Sequence, residues 1–190
     1  MKTESVLFSR DELLALLALV GESWRCYGSE DLAPELDIAT FTMFVETTGP
    51  SLTFQSELEI LDLEEEPDEY TVLHITSGAD SKAARSRGGM NFVYGGRNIQ
   101  QIFIQRNHIT EEVDGSTTFD YTSDDGVIFQ LDDAAVAITK GGIWTCDFQI
   151  STEPTIEQLD VYDAVDEWDA DLQYRYAGGQ TLIPLADLLA

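Results

Sequence analysis

Glu157, Asp160, Glu167 and Asp171 follow one another at spacings of three, seven and four residues, with Asp163 at the edge of the same stripe. On an α-helix, where residues four apart are separated by roughly 6 Å along the axis, that spacing gathers the carboxylates on one face. A row of fixed negative charge imitates rather than reacts. Phosphates of one DNA strand rise about 3.4 Å per step, so such a helix could stand in for a short phosphate row and fill the basic cleft of a nuclease or DNA-binding protein. The plainer alternative is the solvated face of an amphipathic helix. A second acidic run, Glu64-Glu65-Glu66, precedes Pro67 and offers a further contact point for a cationic partner.

The counter-trend is local. Lys82, Arg85, Arg87, Arg97 and Arg106 are half of the 10 basic residues and fall within 25 positions, interleaved with Gly88-Gly89, Asn91, Phe92, Tyr94 and Gly95-Gly96. Glycine-rich backbone beside arginines can cradle an anion, which makes Arg85, Arg87, Phe92, Tyr94, Arg97 and Arg106 candidates for holding a small anionic ligand. No strand-GxxxxGK[ST]-helix signature accompanies them, and their scatter favours internal counter-charge over a phosphate loop.

Catalytic chemistry finds little to stand on. His74 and His108 are the only histidines, and neither sits in an HExxH or GxSxG setting. Asp124-Asp125-Gly126 and Glu111-Glu112-Val113-Asp114-Gly115 resemble pieces of calcium loops without completing one. Cys26 and Cys146 are too few for a disulfide scaffold or a structural zinc site, and burial is the ordinary reading of both. The expectation is a chain without enzymatic activity, cofactor or metal.

What remains is the charge. The chain has 36 acidic residues against 10 basic, a formal net charge of −26 over 190 residues. A small domain stays soluble with a net charge of about 2–8, so this excess asks for another explanation. It repels nucleic acid and anionic membrane and draws basic proteins by steering. Nine Phe, seven Tyr and three Trp argue for a folded chain, not a disordered acidic tail. The acids are also dispersed, with eight in each of the segments 53–69, 108–133 and 153–171. These features point to a binding protein that engages a basic nuclease, toxin or DNA-binding protein, as an inhibitor, an immunity-type protein or a nucleic-acid mimic. Host adaptation to high internal salt is the competing explanation, and seven Arg against three Lys is compatible with it. The N-terminus lacks a signal-peptide pattern and the longest apolar stretch, Leu13 to Val20, cannot cross a bilayer, so a cytoplasmic location is expected.

The elements that must position these groups read as one α+β domain over residues 1–190. Ser9-Arg10-Asp11-Glu12 is a capping box opening a leucine-faced helix at about 10–20. Period-two patterning gives strands within about 41–76, ending before a basic Gly-rich loop at about 77–98. A β-meander follows over about 99–151, its turns marked by Asp114-Gly115, Asp125-Gly126, Asp132-Asp133 and Gly141-Gly142. Thr155-Ile156-Glu157-Gln158 reads as a second capping box, and Val161, Val165, Trp168 and Leu172 complete the apolar face of an acidic helix at about 155–174. The expected architecture is a twisted, mainly antiparallel sheet of about eight strands with both terminal helices on one face.

Overall fold

The computed structural model describes residues 1–33, 38–62, 67–78, 89–113, 116–163 and 175–190. At the N-terminus local chemistry acts as its residue types require. The Glu12 N–H donates to Ser9 Oγ at 3.4 Å, and the Ser9 N–H donates to Glu12 Oε2 at 2.7 Å, opening helix α1 (Arg10–Leu17). Leu13 and Leu16 turn into the core. The other oxygen of Glu12, Oε1, accepts the Ile75 N–H at 2.9 Å, so the helix cap also satisfies a donor on a strand.

The rest is mostly antiparallel sheet, in two layers. The larger sheet runs in the order β12 (Arg175–Pro184), β8 (Ile99–Val113), β9 (Ser116–Leu131), β10 (Ala135–Lys140), β11 (Asp147–Glu153) and β3 (Ile38–Thr40). One flank of β9 is long enough for two partners, taking β10 along 126–130 and, in parallel, β1 (Lys2–Val6) along 119–123. The smaller sheet runs β6 (Asp68–Ser77), β5 (Ser51–Leu61), β4 (Thr42–Thr47), β2 (Trp24–Ser29) and β7 (Gly89–Asn91). Between the layers Leu52, Phe54, Leu73 and Ile75 share one buried cluster with Ile102, Ile104, Val127, Phe129, Val136 and Ile138. Trp24 and Phe54 both meet the Phe129 ring edge-on, at 5.3 and 6.4 Å between centroids. Each such side chain contributes about 1.5–3 kcal/mol by leaving water.

Among the described residues the expected eight strands in one sheet become twelve in two, and the helices are α1 and the four-residue α2 (Leu185–Leu188). The molecule is mainly β. Strands β4, β5 and β6 coincide with the period-two pattern, whereas β1, β2, β3, β7 and β12 carry none that reads from sequence.

Two local expectations fail for identifiable reasons. Asp125-Gly126 is not a turn, because β9 runs through it. Register steps from Gln105↔Gly126 to Arg106↔Asp124, leaving Asp125 as the extra residue of a bulge. Glycine is needed beside it, since a Cβ at 126 would lie 2.6 Å from Thr139 Cγ2. The Thr155 capping box does not form either: only a single 3-10 turn, Ile156–Gln158, follows it, and residues 159–163 are not helical. Instead the sheet captures that segment. The Asp160 N–H donates to Ser151 Oγ at 2.9 Å and the Tyr162 N–H to Thr139 Oγ1 at 3.4 Å. The Tyr162 carbonyl accepts from both Gln105 and Gln180 side chains. Long-range bonds to the sheet outcompete a local helix signal. Val165, Trp168 and Leu172 of the expected helix lie outside the described residues. Gly178-Gly179 lies inside β12.

Candidate interaction surface

The cations are held first. Arg106 forks onto Asp124 at 2.7 and 3.0 Å, and the Asp124 carboxylate, 1% exposed, also accepts the Phe8 N–H at 2.9 Å. Lys140 pairs with Asp125 at 2.8 Å beside the same bulge. Arg97 pairs with Asp133 at 2.6 Å and lies over the Tyr94 ring at 5.5 Å; the hydrogen bond to Asp133 holds its pKa above the ordinary range. Lys2 pairs with Asp62 at 2.7 Å. Among the ligand candidates, Arg97 precedes β8 at the Asp132-Asp133 turn, whereas Arg106 sits midway along β8, so each is bonded to its own aspartate. Tyr94 adopts a positive φ of 62° and Phe92 is exposed. Arg85 and Arg87 lie outside the described residues.

Among the expected partner-binding acids, Glu157, Asp160 and Asp163 are exposed. Without a helix beneath them, their spacing no longer places them on one face. Glu157 belongs to the 3-10 turn, where its own backbone N–H and then the Thr155 hydroxyl hold its carboxyl below the usual range. It joins Asp132 and Asp133 around a shallow cavity of about 240 Å³. Glu64, Glu65, Glu66, Glu167 and Asp171 lie outside the described residues.

A further acidic surface surrounds the far end of β5 and β6. Glu57, Glu59, Asp62, Asp68 and Glu69 are all exposed there, on either side of the sequence position of Glu64–Glu66. Register places Glu57 opposite Val72, Glu59 opposite Tyr70 and Leu61 opposite Asp68. His74 Nε2 lies 2.8 Å from Glu59 Oε1. An open groove of about 760 Å³ between this sheet face and α1 is lined by Asp11, Glu12, Glu57 and His74. On the other side, Cys146 senses the same charge: burial raises its thiol pKa first, and Asp147, Glu57 and Glu69 add to the rise.

Apolar groups stand inside this acidic rim. Leu58 is 42% exposed and Ile60 72%, although both continue the inward series Leu52, Phe54 and Ser56. Trp144 lies ahead of β11 and is exposed, and Cys146, expected to be buried, is only half-buried. The Thr71 N–H donates to the Ile143 carbonyl at 2.7 Å and the Thr71 hydroxyl to the Thr145 carbonyl at 2.8 Å, which brings the 143–145 segment against β6. Sequence reading missed Leu58 and Ile60 as surface groups because alternation alone puts them in the core. The available signal was length, an eleven-residue pattern beside a six-residue one.

No helix among the described residues is long and apolar enough to cross a membrane, and no group of three His, Cys, Asp or Glu side chains among them is arranged to hold a metal ion. Comparison with protein-family models, with curated proteins and with solved structures gave no match.

Proposed function

We propose that this chain is a non-enzymatic acidic binding protein that engages a basic protein partner, as an inhibitor or immunity-type protein. One observation carries the reading. Lys2, Arg97, Arg106 and Lys140 are each taken up by an aspartate of the same chain, whereas Glu57, Asp68 and Glu69 face solvent with no cation bonded to them among the described residues. Carboxylates left in water with their charge unspent attract a cationic surface over about a Debye length and accelerate encounter. The nucleic-acid-mimic variant has less support, since the evenly pitched row it needs depended on a helix through Glu157, Asp160 and Asp163.

The test is comparative affinity purification from the native host at low salt, with wild type and the charge-reversed variant Glu57→Lys/Asp68→Lys/Glu69→Lys. The reading expects one or more basic proteins retained by wild type and lost from the variant. Equal recovery by both, or comparably acidic neighbours throughout the host proteome, would transfer the charge to host adaptation.

A further inference from the structure

We infer that the Glu57–Ile60 edge of β5 is a strand-addition site that captures an extended segment of a basic partner, its side chains alternating between cationic and apolar; this rests on the binding function proposed above. The observation is an interrupted ladder. β4 pairs with β5 only as far as Thr42↔Gln55, with a last bond from the Ser56 N–H to the Phe41 carbonyl at 2.8 Å. At Phe41 the backbone turns left-handed, with φ of 60°, and its N–H goes to the carbonyl of Cys146, the residue just ahead of β11, at 2.8 Å. A bulky residue at positive φ is strained, and here bonds to Ser56 of β5 and to Cys146 ahead of β11 hold it. The chain therefore leaves the flank of β5 while β5 runs on to Leu61, paired with β6 on its other side through Leu61↔Asp68.

Parity identifies the open groups. In an antiparallel ladder each residue directs its N–H and C=O to the same flank, and successive residues alternate. Ser56 faces the β4 flank, so Leu58 and Ile60 do too. Among the described residues no strand lies beside them there, and their side chains are 42% and 72% exposed. The open flank of β6 is managed differently, with the Thr71 N–H bonded to Ile143 and the Ile75 N–H to Glu12. Folded proteins hide or charge a free edge, because unpaired backbone recruits another strand. This one instead presents Leu58 and Ile60.

The chemistry of the guest follows from the host's alternation. Side chains directly opposite in a ladder lie about 4.5–5.5 Å apart at Cβ, so residues facing Leu58 and Ile60 should be apolar and those facing Glu57 and Glu59 cationic. A second copy of this chain is a poor guest, since pairing these edges would set Glu57 and Glu59 against one another on molecules of charge −26.

The probe is the N-acetylated, C-amidated peptide Lys-Val-Lys-Val-Lys-Val-Lys, compared with the same peptide N-methylated at every valine, which keeps charge and side chains but removes the donors that would face β5. Wild type should bind the unmethylated peptide at least about tenfold more tightly, a difference of about 1.4 kcal/mol, and amide exchange at Leu58 and Ile60 should slow on binding. Ile60→Pro removes an N–H that points away from β6 and should weaken binding of the unmethylated peptide without lowering the melting temperature by more than a few degrees. Equal affinity for both peptides with unchanged exchange at Leu58 and Ile60 would overturn strand addition while leaving the charged surface intact. Failure of both peptides to bind at low salt would overturn both readings.

Discussion

Asp125 meets Lys140 at 2.8 Å with the two side chains 1% and 3% exposed, and Asn107 Nδ2 donates to the other carboxylate oxygen at 2.7 Å. The pair exists because β9 carries one residue more than β8 at this point, which delivers an aspartate into the interior. Taking either charge away alone leaves the other without its principal partner. Lys140→Met should lower unfolding free energy by about 3–5 kcal/mol in urea titrations, and adding Asp125→Asn should recover part of that loss.

The bulge also demands its glycine. Gly126→Ala would press a methyl to 2.6 Å from Thr139 Cγ2 and 2.9 Å from Gln105 Oε1. We expect a loss of about 1–3 kcal/mol, read from the urea midpoint at unchanged slope. A neutral outcome would show that the two strands separate there at little cost.

Tyr121 gives a pH dependence with a definite sign. Burial raises its hydroxyl pKa above the ordinary value of 10.0; Lys140 opposes the rise and Asp125 adds to it. The folded state then holds this proton more tightly than the unfolded chain, so its contribution is fully present below pH 10 and is lost as pH rises from there through the folded-state value. Stability of wild type should fall across the alkaline limb in urea titrations, and Tyr121→Phe should flatten that fall.

Glu12 joins α1 to β6 through one carboxylate. Glu12→Ala removes the return half of the capping box and strands the Ile75 N–H, for a loss of about 1–2 kcal/mol by thermal unfolding. Glu12→Gln keeps an acceptor oxygen and should lose less.

The sequence announced whatever is decided within a few residues. Ser9 and Glu12 form the expected box, the β4–β6 strands follow their alternation, and Asp132-Asp133 turns β9 into β10. It misled wherever distant groups decide. Asp125-Gly126 has turn chemistry, yet the pairing of β8 with β9 keeps it in a strand. Thr155-Ile156-Glu157-Gln158 has cap chemistry, yet Ser151, Thr139, Gln105 and Gln180 bind the following backbone and hold it off the helix. Likewise Leu58 and Ile60 look like core residues until the short β4 leaves them uncovered. Acidity was plain from composition, but only the ion pairs of Arg97, Arg106 and Lys140 distinguish spent carboxylates from free ones.

The measurement closest to the central claim is calorimetric titration of the Lys-Val peptide into wild type and into Glu57→Lys/Glu69→Lys, at about 20 mM and about 200 mM salt. Attraction focused on the β5–β6 end predicts about a tenfold weaker complex at the higher salt, and a comparable loss in the charge-reversed variant already at the lower salt. Equal affinity of wild type and variant at low salt would contradict it, leaving the charge a property of the whole surface with no site of its own.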